Sequence, residues 1–184
     1  MNRLLLVSVI LLFNPSVYCA EINGVNFSDS LKVSEHTLVI NGFGERLYGF
    51  FNTKIYAAAL YLKKRESDPQ KIIASKSEKS IEMEYIYKNI SQDDMVNGWK
   101  VSFKDNCHDC RKIQTIINEF YVSVGEKKSG NRITYQFGPF GVKVIENGKT
   151  VFESTSQSFA KVLLSTWIGA KPATKKLKKA LMGK

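Results

Sequence analysis

One arginine within an apolar stretch is the clearest candidate for ligand chemistry in this sequence. Arg46 belongs to the run Gly42-Phe-Gly-Glu-Arg-Leu-Tyr-Gly-Phe-Phe51, where glycine, leucine and aromatic residues surround it. A guanidinium group beside so much apolar surface requires an anionic or hydrogen-bond-accepting partner. That partner is either a bound ligand or an acid of the chain itself, for which Glu45 and Glu82 are the candidates.

Two cysteines at the spacing Cys107-His-Asp-Cys110 are the second candidate. In an oxidising compartment a pair at this spacing most often forms a disulfide, which is our leading interpretation. A redox-active dithiol is the alternative, because the predicted helix 111–124 follows the pair and its dipole would stabilise a thiolate. A zinc site is the third interpretation, but it needs two further ligands, and His108 lies inside the short loop.

Other catalytic motifs are absent from the sequence. The chain has two histidines and no Gly-x-Ser-x-Gly motif, which disfavours a Ser-His-Asp hydrolase. It also has no P-loop, and Gly42-Phe-Gly44 precedes a strand, so we interpret this segment as a turn and not as a phosphate-binding loop. We therefore expect no metal and no cofactor.

The strand predicted over Ile55–Leu62 is the element around which the others must be arranged. Its residues are apolar at both alternating sets of positions, which is typical of a strand buried on both faces. Three of them are alanines, and their small volume would leave room for a group that packs against the sheet. Arg46 and this strand should therefore border the same site.

The remaining pattern predicts an α+β fold, with an antiparallel β-sheet and helices packed on one face. Alternating or β-branched segments predict further strands at residues 37–41, 47–51, 81–87, 133–137, 142–146 and 150–152. Apolar residues at helical spacing predict helices at 70–74, 92–106, 111–124, 159–168 and 173–181. Asn147-Gly148 between two strand segments is a strong hairpin signal.

The first 20 residues have the pattern of a secretory signal. Arg3 precedes an apolar run over residues 4–13, and small residues follow near Ala20. We predict a cleaved signal peptide at 1–20, one domain at 21–184, and a periplasmic or secreted protein.

The chain is basic, with a formal net charge of +10 at pH 7. Much of the excess lies in the C-terminal lysines, which we interpret as a solvated helix face. Peripheral contact with an anionic membrane through these lysines is the alternative. We expect no nucleic-acid partner, because the aromatic residues are not interleaved with basic ones and an exported protein rarely meets nucleic acid.

Three motifs, in this order, resemble the bacterial exported branch of the chalcone isomerase-like proteins. The first joins Gly42-Phe-Gly-Glu-Arg46 to Lys54-Ile-Tyr-Ala-Ala-Ala-Leu-Tyr-Leu62. The second is Asn147-Gly-Lys149, and the third combines Leu163-Leu-Ser-Thr-Trp-Ile-Gly169-x-x-Pro172 with Leu177-Lys-x-x-Leu181-x-Gly183. The resemblance spans nearly all of the chain after the signal. It implies an antiparallel sheet covered by helices, with a ligand cleft between the two layers.

The resemblance implies two kinds of function. Plant chalcone isomerases close a chalcone to a flavanone with an arginine that resembles Arg46, assisted by a threonine, a tyrosine and an asparagine. This chain has Tyr56, Ile90 and Asn97 near the matching positions. Loss of a donor that stabilises an enolate costs about 10²–10³ in rate. Other members of the fold bind fatty acids without catalysis, for which one guanidinium and an apolar slot suffice.

We therefore predict a non-catalytic protein that binds a fatty acid or a similar apolar carboxylate through Arg46, with Tyr48 and Tyr56 beside it. The first alternative is an isomerase, an intramolecular lyase acting on a chalcone-like enone or a phenolic substrate, with Arg46, Tyr56 and Asn97 as catalytic residues. The second alternative is a partner-binding or redox module that uses Cys107 and Cys110.

Overall fold

The computed structural model describes residues 19–184, so the predicted signal peptide lies outside the described residues except for Cys19 and Ala20. The strands are β1 Cys19–Ile22, β2 Val25–Ser28, β3 Ser30–Val33, β4 His36–Tyr48, β5 Thr53–Leu62, β6 Lys79–Tyr85, β7 Asn89–Ile90, β8 Lys127–Lys128, β9 Arg132–Gly138, β10 Gly141–Glu146 and β11 Lys149–Ser154. The helices are α1 Pro69–Ala74, α2 Gln92–Asn106, α3 Gln114–Ser123, α4 Gln157–Ile168 and α5 Lys175–Leu181, with a 3-10 turn at Arg111–Ile113.

Seven of these strands form one sheet in the order β11-β10-β9-β6-β5-β4-β3. Every pair of neighbours in it is antiparallel, which confirms the predicted α+β class with an antiparallel sheet. The strands β1 and β2 form a separate hairpin, and β7 pairs with β8. Among residues 19–184, no helix combines the length and apolar character needed to cross a membrane.

The strand β5 is buried on both faces, as its composition predicts. On one face, Tyr56, Ala58 and Leu60 belong to the core beneath the helices. On the other face, Ala57, Ala59 and Tyr61 join a second core with Val25 and Phe27 from the β1–β2 hairpin. The sheet therefore separates two different environments at β5, and the N-terminal hairpin covers the face that the helices leave open.

The helical layer packs around a group of aromatic side chains. Trp99 of α2 contacts Phe120 of α3 and Trp167 of α4, with ring centroids 5.1 and 5.5 Å away. The serines that precede α2 and α4 cap them, because Ser91 and Ser156 accept hydrogen bonds from backbone N–H groups in the first turns. Local capping thus begins these helices, and apolar burial holds them against the sheet.

The prediction of a turn at Gly42-Phe-Gly44 is wrong, because these residues lie within the long strand β4. The glycines are explained by α5, which crosses directly over them. A Cβ atom on Gly42 would lie 2.2 Å from the carbonyl oxygen of Ala180, and one on Gly44 would lie 2.6 Å from the Ala180 Cβ atom. Glycine here permits close contact between a helix and a strand and does not make a turn.

The predicted strand at 47–51 is wrong over its last three residues, since β4 continues to Tyr48 and the chain then turns over residues 49–52. Gly49 and Asn52 adopt positive φ angles of 69° and 51° in this turn. The hairpin predicted at Asn147-Gly148 is confirmed, with positive φ at both residues, as a two-residue turn of this kind requires.

Candidate functional site

Arg46 lies in β4, directly across from Tyr56 of β5, on the face of the sheet that the helices cover. Its side chain is half-buried, and its guanidinium carbon lies 5.7 Å from the centroid of the Tyr56 ring. The helix α5 packs on Gly44, two residues earlier in the same strand. The strand pairing and this helix together place the arginine against an aromatic surface.

Within residues 19–184, the guanidinium of Arg46 has no acidic partner. Its Nε atom is buried without a hydrogen-bond acceptor, and no acid among residues 19–184 forms an ion pair with it. The two acids that the sequence suggests have other partners. Glu45 lies 3.4 Å from the ammonium group of Lys176, and Glu82 lies 3.1 Å from the guanidinium of Arg132. The internal pairing of Arg46 considered from the sequence is therefore not what the described part of the chain shows.

Two aromatic residues that the sequence analysis did not assign to the site also lie beside Tyr56. Tyr85 of β6 is its cross-strand neighbour, with ring centroids 5.7 Å apart, and Trp167 of α4 interacts with its hydroxyl group. The register of two adjacent strands would have identified Tyr85. No local signal identifies Trp167, because α4 comes from a distant part of the chain.

The phenols of Tyr56 and Tyr85 are both buried and neutral, and the Tyr85 hydroxyl donates to the Met95 sulfur. Burial raises the pKa of Tyr56, although the Arg46 charge and hydrogen bonds from Trp167 and Arg46 oppose that increase. Burial also raises the pKa of Tyr85, and the neighbouring Tyr56 adds to this effect. A fixed cation beside a neutral phenol is suited to bind a carboxylate, or an oxyanion that develops during a reaction.

The structure places two other predicted site residues on the surface. Tyr48 lies at the end of β4 and is 66% exposed. Asn97 is exposed on α2, and Ile90 lies half-buried in β7. The fold therefore brings together Arg46 and Tyr56 but does not enclose Tyr48 or Asn97 with them.

A cavity of about 10 Å³ lies between the helices and the sheet, bordered by Trp99, Phe120 and Tyr135 among others. This is room for one water molecule at most. An alkyl chain can enter this cavity only if the aromatic side chains around it move apart.

A larger groove of about 630 Å³ lies beside the middle of β4, at residues 40–43, and Arg46 does not line it. Asn41, Arg65 and Met182 are among the residues that do. The α5 contact at Gly42 borders this groove, so the groove and the Arg46 site occupy different parts of the same strand.

The cysteine pair forms the predicted disulfide, in which the Cys107 and Cys110 sulfur atoms are 2.05 Å apart. Cys107 follows the last turn of α2, and both cysteines are half-buried. Within the described part of the chain, no group of three or more His, Cys, Asp or Glu residues is arranged to hold a metal ion.

Comparison with known proteins relates this arrangement to a family. A family model described as chalcone isomerase-like matches residues 19–183. A solved structure of a fatty-acid binding protein from Arabidopsis thaliana has the same fold, with a TM-score of 0.75 and 15% sequence identity. The match covers 90% of this chain and 96% of that one. No curated protein sequence matches the chain.

Proposed function

The chain belongs to the chalcone isomerase-like family, and from this premise we propose that it is an exported, non-catalytic protein that binds a fatty acid or a similar apolar carboxylate. Export is proposed from the signal-like pattern of residues 1–20. The observation that carries the binding proposal is Arg46, whose buried Nε atom has no acceptor within the described chain. A carboxylate would supply that acceptor and accept two parallel hydrogen bonds from the guanidinium.

Tyr56 is the second group that would hold the head group. Its ring lies beside the Arg46 guanidinium, and its raised pKa keeps the hydroxyl protonated at neutral pH. The phenol would donate one hydrogen bond to a carboxylate oxygen while the arginine supplies the opposite charge. A neutral apolar molecule would gain neither interaction, so the site would select for acids.

The alkyl chain would replace contacts that the core aromatic residues now make with one another. The small interior cavity adjoins Trp99, and Trp99 contacts Trp167, which also interacts with Tyr56. Binding should therefore change the fluorescence of these two tryptophans. Because the aromatic contacts must be separated first, affinity should depend on chain length, through the balance between new apolar burial and lost packing.

The binding proposal is tested with dodecanoic acid, by titration with fluorescence detection and by native mass spectrometry. We expect R46A to weaken binding about tenfold or more, since a charge-assisted hydrogen bond contributes about 1.5–3 kcal/mol. The matched control is R111A, because Arg111 is exposed in the 3-10 turn and pairs with Asp109, two residues earlier in the same loop. Absence of uptake by the wild type, or equal binding by R46A, would contradict the proposal.

An intramolecular lyase is the second candidate, and the phenol of Tyr56 beside Arg46 favours it. In that reaction the guanidinium would stabilise an enolate oxygen as a phenolate attacks an enone. It ranks second because Asn97 is exposed on α2 and Ile90 offers no hydroxyl group. Turnover of a chalcone that is lost in both R46A and Y56F would establish it over simple binding.

We further propose peripheral contact between α5 and anionic lipid head groups. Lys175 and Lys179 are exposed on this helix. Each exposed lysine near an anionic surface contributes about 1 kcal/mol. The variant K175Q/K179Q should therefore bind anionic vesicles more weakly at low salt, and an unchanged affinity would contradict the contact.

A further inference from the structure

The turn between β4 and β5 carries an exposed aromatic cluster. Phe50 is 93% exposed and Phe51 is 89% exposed, and the two rings contact each other edge to face with centroids 5.5 Å apart. Together with Tyr48, which precedes them, they form what we call the aromatic tip. Large apolar side chains that are this exposed and adjacent mark an interaction surface.

The shape of the aromatic tip restricts what it can bind. Its two phenylalanines occupy a four-residue turn in which Gly49 and Asn52 have positive φ angles, at the end of the longest strand in the described chain. The apolar surface is therefore at the end of a hairpin and is convex. A convex apolar end is suited to insertion into a deformable medium, such as the interfacial region of a bilayer.

The charges around the aromatic tip favour an anionic surface. The segment from Arg46 to Lys54 contains no acidic residue, and Lys54 is exposed on the second arm of the hairpin, where its ammonium donates to the Asn23 side chain. A second exposed pair, Tyr87 and Lys88, adjoins the same end, because the Tyr87 N–H group donates to the Ile55 carbonyl over 3.2 Å. Aromatic rings flanked by lysines are typical of segments that lie at a membrane interface.

We propose that the aromatic tip inserts into the interface of an anionic lipid bilayer, with Lys54 and Lys88 at the level of the head groups. Insertion would bury Phe50 and Phe51, which the described chain leaves exposed. This anchor shares its partner with the α5 lysines but depends on different residues and on apolar burial. It would also hold the Arg46 end of β4 close to the bilayer, where apolar acids partition.

The test is flotation of the purified protein with vesicles of equal parts phosphatidylglycerol and phosphatidylcholine. We expect F50S/F51S to lower the partition coefficient about tenfold or more, since each phenylalanine loses a large apolar transfer energy. The matched control is V101S/V122S, because Val101 and Val122 are exposed valines on α2 and α3, away from the turn. This control should partition as the wild type does.

A fluorescence measurement reports insertion directly. In F51W the new indole should be quenched by brominated lipid in the same vesicles, whereas the indole of V122W should not be. The variant R46A should float with the vesicles, and F50S/F51S should still take up dodecanoic acid in solution. These two results separate the anchor from the binding proposal, so that either one can fail alone.

Three outcomes would overturn the anchor. The first is equal partition of F50S/F51S and the wild type while K175Q/K179Q loses binding, which would make the contact electrostatic only. The second is an equal loss in V101S/V122S. The third is conversion of a dimer to a monomer by F50S/F51S without vesicle binding by either form, which would make the aromatic tip a contact between two copies of this chain.

Discussion

Arg132 and Arg46 lie on opposite faces of the same sheet, and their guanidinium groups have very different surroundings. Arg132 donates hydrogen bonds to Glu82 over 3.1 Å and to Glu84 over 2.6 Å. A further bond reaches the Asn26 carbonyl of β2 over 3.1 Å, which ties the N-terminal hairpin to the sheet. Arg46 faces the helices and contacts an aromatic ring, and no acid of the described chain pairs with it.

The carboxylate partners of Arg132 make it a structural cation, whereas the Arg46 guanidinium has a donor available for a ligand. The acids Glu82 and Glu84 extend from β6 on the hairpin side, so they reach Arg132 and cannot reach the helix side. A cation with two carboxylates stabilises the structure, and removal of the cation leaves those acids unpaired. A cation with a buried and unsatisfied donor carries a free-energy cost that a bound anion would relieve.

We expect the largest loss of stability when Arg132, which pairs with two carboxylates, is replaced. We expect R132M to lower the free energy of unfolding by about 3 kcal/mol, because Glu82 becomes an unpaired and nearly buried acid. This is at the low end for a broken buried pair, since 39% of the Arg132 side chain is exposed. The measurement is urea unfolding at pH 7, and the companion variant is R46M.

We expect R46M to change the free energy of unfolding by less than about 1 kcal/mol, because Arg46 loses no carboxylate partner of the described chain. A loss in R46M as large as that in R132M would show that Arg46 is a structural cation as well. Adding E82Q to R132M should recover part of the lost stability, because the unpaired charge is then removed.

Lys79 is a third cation, and its hydrogen-bond acceptors are neutral carbonyl groups. Its ammonium group is buried and donates to the Ser75 and Ser77 carbonyls, each over 2.8 Å. Burial lowers its pKa to about 8, whereas in an unfolded chain it is about 10.4. Between these values the unfolded chain binds more protons, so the Lys79 contribution to the unfolding free energy rises with pH.

We expect the difference in stability between the wild type and K79M to move in favour of the wild type from pH 8 to pH 10.4. The expected change is on the order of 2 kcal/mol, since a difference of one in pKa corresponds to about 1.4 kcal/mol and half of each titration falls outside this pH range. Taking the difference at each pH cancels the titration of tyrosines common to both proteins. A stability difference that stays constant from pH 8 to pH 10.4 would show that burial does not lower the pKa of Lys79.

The smallest expected effect concerns the phenol beside Arg46. We expect Y56F to weaken dodecanoic acid binding by about fivefold, because a hydrogen bond from a neutral donor contributes about 0.5–1.5 kcal/mol. Tyr85 provides the matched control, since its hydroxyl donates to the Met95 sulfur over 3.7 Å and not to the Arg46 site. If Y85F weakened dodecanoic acid binding to the same extent, the loss in Y56F would reflect altered core packing and not a lost hydrogen bond.

Much of the fold could be predicted from local patterns. The alternation in β6 and β9, the Asn147-Gly148 turn and the serine cap of α2 are each specified by residues close together in the chain. The Gly42-Phe-Gly44 segment could not be predicted in this way. Locally it resembles a turn, and its reason lies in α5, more than a hundred residues later.

For the site, the sequence by itself determined that Arg46 lies among apolar residues and that a disulfide-forming pair follows α2. Only the folded chain shows that Glu45 and Glu82 have other partners, that Trp167 interacts with the Tyr56 hydroxyl, and that Asn97 is exposed. Composition and spacing specify which side chains each helix or strand carries on each of its faces. The partner of a charged group depends on strand register and on helices that arrive from distant parts of the chain.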